Sequence, residues 1–131
     1  MWKNLKRQFK ENFFIEIARK VWGLEGFIVN SDYCTKVLVL KSGFQCSLHY
    51  HKLKDEVFII LCGKVRMELN NKIYVLRKGD YMRVKPGDVH RFTGVTWFRD
   101  SIIVESSSTH KDKDTYRYEK SRKVRSYKKA C

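Results

Sequence analysis

The 131-residue sequence contains one proline, seven glycines and no apolar run long enough to cross a membrane. Its four cysteines include no CxxC pair, which argues against a cysteine-ligated zinc site and against a disulfide framework. The apolar stretch around Phe14 is interrupted by Glu16 and Arg19, so we expect no secretory leader. Together these absences predict one cytoplasmic domain whose cysteines are reduced.

Acidic residues are also scarce, because 14 Asp and Glu accompany 28 Lys and Arg and leave a net charge of +14. Residues 111–131 form a basic C-terminal tail with nine basic and three acidic residues. Such a tail attracts phosphate, nucleic acid or anionic lipid over long distances. The tail carries no base-reading element, so we favour a solvated tail over nucleic-acid contact and expect no membrane partner.

Two hydrophobic periodicities divide the rest of the chain. In residues 1–21, large apolar side chains recur every three or four positions, which predicts a short amphipathic helical segment that packs on the protein body or on a second subunit. These side chains are Trp2, Leu5, Phe9, Phe13 and Ile17. In residues 22–110 the period becomes two, in short runs separated by turn residues such as Asn70-Asn71. This pattern predicts an all-β barrel or sandwich.

Three of the four histidines lie where a barrel could bring them together. His49 and His51 are two residues apart on a predicted strand, so their side chains point to the same side. Glu56 lies after a short turn, at the start of the expected antiparallel neighbour, and His90 follows a Pro-Gly loop. One such histidine alone would be an ordinary surface or core residue. Three imidazoles with a carboxylate suit Mn, Fe, Ni, Cu, Co or Zn, so the pattern predicts a divalent metal site.

The region from residue 43 to residue 94 resembles the two sequence motifs of the cupin family. The positions that match the first motif, at every spacing, are Gly43, His49, His51, Glu56 and Gly63. The positions that match the second motif are Gly79, Pro86, Gly87 and His90. Lys85 and Gly94 stand where the family has proline and asparagine, and neither position binds metal in the family. The resemblance implies a cupin β-barrel, which is a double-stranded β-helix or jelly roll.

By this resemblance, one divalent ion of Mn, Fe, Zn, Ni or Co is bound by His49, His51, Glu56 and His90. Residues 21–25 and 49–56 are similar to the cupin domains of type II phosphomannose isomerases and related sugar-processing cupins. This likeness implies a protein that acts on or binds a sugar or sugar phosphate in carbohydrate metabolism, and the resemblance to cupins in general implies a homodimer. A metal-dependent dioxygenase, or a non-enzymatic ligand-binding or sensing cupin, would use the same ligands.

Three further residues are candidates for substrate binding. Gln45 and Ser47 share the predicted strand face of His49, and Arg91 directly follows His90. No residue presents itself as the catalytic base of an isomerase, because Glu56 is expected to bind the metal. Asp55 and Asp88 are interpreted as surface carboxylates.

Overall fold

The computed structural model describes residues 14–124, and the structural statements below refer to this range. It contains thirteen β-strands and one short 3₁₀-helix, Asp112–Asp114. Among these residues, no helix is long and apolar enough to cross a membrane. In chain order the strands are β1 (Glu16–Lys20), β2 (Gly23–Asn30), β3 (Tyr33–Leu40), β4 (Phe44–Gln45), β5 (Leu48–Tyr50), β6 (Glu56–Cys62), β7 (Lys64–Leu69), β8 (Lys72–Arg77), β9 (Tyr81–Val84), β10 (His90–Gly94), β11 (Ser101–Ser108), β12 (Tyr116–Glu119) and β13 (Arg122–Lys123).

The strands form two antiparallel sheets, so the predicted all-β architecture is confirmed. The first sheet has the order β1-β2-β3-β11-β6-β9, and the second has the order β12-β5-β10-β4-β13, with β7 paired to β10 and β8 paired to β7. Alternate side chains point inward from each sheet, as a period of two requires. The main core therefore lies between the sheets and includes Leu38, Phe58, Ile60, Met67 and Phe92.

The predicted N-terminal helix is wrong over residues 16–20, which form strand β1. This strand pairs antiparallel with β2 from Glu16 opposite Phe27 to Lys20 opposite Gly23. The unpaired N–H and C=O groups of β2 offer hydrogen bonds that a separate helix would leave unmade, and this tertiary pairing overrides a weak local periodicity. Residues 1–13, where the rest of the predicted helix falls, lie outside the described residues.

Phe14 precedes β1 and covers the outer face of the first sheet. Its side chain is buried against Val37 and Ile102, which point away from the main core. Phe14 is not one of the recurring apolar side chains of the predicted helix; of those, only Ile17 lies within the described residues, and it is exposed.

Two strands follow residue 110, where the barrel was expected to end. β12 pairs with β5, and β13 pairs with β4. The second sheet therefore continues into the basic tail as far as Lys123.

Gly63 lies at a point where the chain passes from the first sheet to the second. Its φ is +88°, in the left-handed region, and a Cβ atom built there would lie 2.3 Å from Ser101 Oγ and 2.7 Å from Ser101 Cα. Gly79 lies at a second crossing with a similar φ of +91°, but no atom lies within 4 Å of its built Cβ. The two glycines thus share a backbone conformation and differ in free space.

We predict that Gly63→Ala lowers the free energy of unfolding by about 2 kcal/mol more than Gly79→Ala. Both substitutions carry a left-handed backbone cost of about 1–2 kcal/mol, and only Gly63→Ala must also displace Ser101, an overpacking cost of about 1–3 kcal/mol. Urea denaturation of both variants measures the difference. Equal losses would show that Ser101 does not restrict this turn.

Candidate metal centre

His49, His51 and His90 meet inside the barrel. His49 on β5 lies directly opposite His90 on β10 in the strand register, and His51 follows β5 immediately. The ring centroids are 4.4 Å apart for His49 and His90, 4.9 Å for His49 and His51, and 5.6 Å for His51 and His90. One nitrogen from each ring lies within 4.8 Å of the others, so the three histidines could hold a metal ion.

Glu56 adds a buried carboxylate to this group. Its Oε2 lies 3.2 Å from Nε2 of His51 and 3.8 Å from Nε2 of His90. Glu56 was expected on a strand that forms a hairpin with the histidine strand, and this prediction is wrong. β5 pairs with β10 and β12 of the second sheet, whereas β6 pairs with β9 and β11 of the first. Glu56 therefore faces the imidazoles across the barrel from the opposite sheet.

The three imidazole rings are oriented by backbone carbonyl groups. Nδ1 of His49 lies 2.8 Å from the carbonyl oxygen of Ser47, Nδ1 of His51 2.9 Å from that of Asp114, and Nδ1 of His90 3.0 Å from that of Asp88. A carbonyl oxygen can only accept, so each Nδ1 donates its proton and each Nε2 carries a lone pair. Holding Nδ1 on a carbonyl in this way fixes the ring and leaves Nε2 ready to bind a metal ion.

Two polar atoms at the centre of this group have no hydrogen-bond partner among residues 14–124. They are Nε2 of His90 and Oε2 of Glu56, and both are buried. Buried polar atoms of this kind cost about 1–3 kcal/mol each when unsatisfied. A divalent cation would accept both lone pairs at once, so the donor set fits a metal ion.

The electrostatics of the site keep the imidazoles of His49 and His90 neutral. Burial and the neighbouring His90 lower the pKa of His49 to about 2. Burial also lowers the pKa of His90, against the opposing effect of the Glu56 charge. Because metal ions bind only the deprotonated imidazole, these shifts favour the ligating form.

The three predicted substrate-binding residues have different surroundings. Ser47 lines the cavity next to the histidines, and its Oγ lies 3.1 Å from Nδ1 of His49. Gln45 is buried, and its Oε1 accepts a hydrogen bond from Thr93 at 3.0 Å. Arg91 forms ion pairs with Glu68 and Glu119. Neither Gln45 nor Arg91 is among the described residues that line the cavity.

The cavity, of about 90 Å³, extends from the histidines to a buried charged cluster that the sequence did not reveal. The cluster consists of Lys36, Lys54, Glu105 and His110. Lys54 Nζ lies 2.7 Å from Oε2 of Glu105 and 3.9 Å from Oε1 of Glu56. Lys36 and Glu105 are opposite each other on β3 and β11. The available signal was a charged residue beside an apolar run in each strand, Lys36 before residues 37–40 and Glu105 after residues 102–104.

The charges within this cluster stabilise one another. Burial would raise the pKa of Glu105, but Lys54 and Lys36 together hold it well below its usual range. Burial would lower the pKa of Lys54, but Glu105 and Glu56 outweigh that effect and raise it. His110 is affected in the opposite sense, because burial and the two lysines lower its pKa. Lys54 and Glu105 are therefore charged at neutral pH, and His110 is neutral.

Asp114 connects the basic tail to the centre. Its backbone carbonyl accepts the hydrogen bond from His51, and its carboxylate accepts those from the backbone N–H groups of residues 52, 53 and 54 at 2.9–3.2 Å. The loop between His51 and Glu56 is thus held by a residue of the tail.

Residues 36–96 match the family model described as Cupin domain, and no curated protein matches the sequence at a significant level. The chain is similar in structure to KdgF from Halomonas sp., with a TM-score of 0.63 and 18% identity over 69% of this chain and 81% of that one. An RmlC-like cupin from Shewanella frigidimarina gives a TM-score of 0.66 and 19% identity, over 75% of this chain and 86% of that cupin. The capsular polysaccharide assembling protein CapF from Staphylococcus aureus gives a TM-score of 0.69 and 18% identity, over 79% of this chain and 34% of CapF.

We predict that the metal-free protein loses stability as the pH falls from 7 to 5. The pKa of His49 lies below its ordinary value of 6.5, so the unfolded chain binds more protons than the folded one below that pH. Each such histidine contributes up to about 1.4 kcal/mol per pH unit. Urea denaturation in EDTA measures how the free energy of unfolding changes with pH. His49→Gln should make this dependence weaker, by the contribution of one histidine. A stability independent of pH over this range would contradict the prediction.

We also predict that Asp114→Ala lowers the free energy of unfolding by about 2–3 kcal/mol, because three backbone N–H groups lose their acceptor. Asp112→Ala is the matched control, since its side chain is 97% exposed and pairs only with His110 among the described residues. The control should lose less than about 1 kcal/mol. Similar losses in the two variants, measured by urea denaturation, would exclude a special role for Asp114.

Proposed function

This chain belongs to the cupin superfamily, and on that premise we propose that it binds one divalent metal ion through His49, His51, Glu56 and His90. The ion and the surrounding cavity hold a small-molecule ligand inside the barrel. The observation that carries this proposal is that two buried atoms, Nε2 of His90 and Oε2 of Glu56, have no hydrogen-bond partner in the described part of the chain. Both belong to a group in which the Nδ1 atoms of all three imidazoles are already engaged by backbone carbonyls.

The donor set is compatible with Mn, Fe, Zn, Ni or Co, since imidazole and carboxylate ligands suit all of them. When bound, such an ion supplies Lewis-acid stabilisation to carbonyl or hydroxyl oxygens of a ligand. The protein residues orient the imidazoles, exclude bulk water and surround the ion with charged and hydrogen-bonding side chains.

We favour a sugar or sugar phosphate as the ligand, with a mannose-6-phosphate isomerase-like reaction as the enzymatic form of this proposal. The cavity offers lysine, carboxylate, serine and threonine side chains, which are suitable partners for hydroxyl and phosphate groups. The fold likeness to a protein that assembles capsular polysaccharide supports the same ligand class.

A non-enzymatic ligand-binding cupin is the second candidate function. The buried carboxylates of the cavity have other roles, because Glu105 pairs with Lys54 and Lys36 while Glu56 is a proposed metal ligand. An isomerase needs a group that is free to move a proton between adjacent carbon atoms. Thermal-shift screening against sugar phosphates, followed by a turnover assay for each binder, distinguishes an isomerase from a binding protein.

We further propose a cytoplasmic homodimer. Cys34, Cys46 and Cys62 are free thiols, as expected in a reducing compartment. β1 is an edge strand, and Ile15 and Ile17 beside it are exposed. Exposed apolar edge strands pair readily with a second chain, so size-exclusion chromatography with light scattering tests this part of the proposal.

We predict that the double variant His49→Ala, His51→Ala loses stoichiometric metal while the barrel remains folded. Removing two of four ligands leaves too few donors to retain the ion. Elemental analysis after dialysis measures the metal content, and far-UV circular dichroism measures folding.

The matched control is His110→Ala, which removes the remaining histidine from the same cavity without changing a proposed ligand. It should retain one metal ion per chain. Stoichiometric metal in the double variant, or a wild-type chain that fails to retain Mn, Fe, Zn, Ni or Co, would refute the metal centre.

A further inference from the structure

We propose that the ammonium groups of Lys36 and Lys54 form an anion subsite beside the metal centre, and that this subsite binds the phosphate or carboxylate group of the ligand. The inference rests on the proposed function, because it assumes that other oxygens of the same ligand reach the ion. It goes beyond the proposed function by specifying an anionic ligand, since a neutral sugar would not need these two charges.

The first argument is that Lys36 has too few acceptors. The residue is 1% exposed, and its ammonium group has three donors. Among the described residues its nearest carboxylate oxygens, from Glu25 and Glu105, are both 3.6 Å away, beyond a charge-assisted hydrogen bond of about 2.7–2.9 Å. The ring of Phe27 covers one side, with its centroid 4.7 Å from Nζ. An anionic group would provide the short hydrogen bonds that the buried charge lacks.

The second argument is that Lys36 and Lys54 share one acceptor. Nδ1 of His110 lies 3.3 Å from Nζ of Lys36 and 3.2 Å from Nζ of Lys54. An ammonium nitrogen can only donate, so Nδ1 must accept, and it has a single lone pair. Nε2 of His110 then donates to Oδ1 of Asp112 at 2.9 Å. Lys54 has Glu105 as a close partner at 2.7 Å, whereas the only hydrogen bond of Lys36 Nζ within residues 14–124 is its share of this lone pair.

The third argument is the position of the subsite next to the proposed ion. Lys54 Nζ lies 3.9 Å from Oε1 of Glu56, and Glu56 Oε2 lies 3.2 Å from Nε2 of His51. Both lysines line the same cavity as His49 and His51. One ligand could therefore contact the ion and the ammonium groups together.

The fourth argument is the charge of the cavity. Its lining contains four cationic side chains and four carboxylates, which balance one another. The cationic residues are Lys20, Lys36, Lys54 and Arg117, and the carboxylates are Glu25, Glu56, Glu105 and Asp112. A divalent ion would add two positive charges without a counterion. A bound anion would offset this charge beside the buried residues Lys36, Lys54, Glu56 and Glu105, where an uncompensated charge is costly.

The experiment titrates inorganic phosphate and, separately, acetate into the full-length Mn²⁺-loaded protein by isothermal calorimetry. Enhanced ³¹P relaxation shows whether bound phosphate lies close to Mn²⁺. Lys36→Met removes the charge and keeps the apolar stem, and Lys72→Met is the matched control because Lys72 is exposed on β8. We expect Lys36→Met to weaken phosphate binding by about tenfold or more, as the loss of a charge-assisted hydrogen bond implies, while Lys72→Met has no effect.

Metal content, measured on the same samples, separates this proposal from the metal proposal. A wild-type protein that retains none of Mn, Fe, Zn, Ni and Co would refute the metal centre, and a protein that retains one of the others in place of Mn²⁺ is titrated in that form. With the metal retained, wild-type protein that binds neither phosphate nor acetate would overturn the subsite, as would undiminished binding by Lys36→Met. A preference for phosphate over acetate assigns a phosphorylated ligand, and the reverse assigns a carboxylate. If Lys36→Met does not fold, Lys36→Gln, whose neutral amide can still donate to Glu25, replaces it with the same expected loss.

Discussion

The geometry of the candidate centre depends on three hydrogen bonds from imidazole Nδ1 atoms to backbone carbonyls. For His49 and His90 the accepting carbonyl lies two residues earlier in the chain, so these rings are oriented locally. For His51 the acceptor is Asp114, which belongs to the tail. Each bond directs a lone pair on Nε2 into the barrel. Without them the rings could rotate or change tautomer, and the four donors would no longer face a common point.

The buried charges beside the centre are expensive to maintain. Lys36, Lys54 and Glu105 lose most of their hydration inside the barrel, and a buried ion pair often contributes less stability than apolar side chains of the same size. Their presence at one end of a cavity is therefore better explained by ligand recognition than by stability. Both sheets contribute side chains to this region. Lys36 and Glu105 lie on β3 and β11 of the first sheet, and two of the imidazoles lie on β5 and β10 of the second.

Local sequence patterns were informative where the determining interactions are local. Asn70 and Asn71 both adopt positive φ and join β7 to β8 in a tight hairpin, as their residue type predicts. The helical periodicity was misleading over residues 16–20, because pairing with the free edge of β2 determines the conformation of β1. The hairpin route for Glu56 was also wrong, since sequence proximity does not reveal that β5 and β6 belong to different sheets.

By itself, the sequence determined the all-β class and the four candidate ligands, because strand alternation and motif spacing are properties of neighbouring residues. The assignment of those ligands to a metal ion stays a prediction. Only the tertiary structure decided that Glu56 faces the histidines from the opposite sheet, that Asp114 supports His51, and that two lysines lie buried beside them. These relations join residues far apart in the chain, and their geometry follows from the closure and packing of two sheets, which no local pattern encodes.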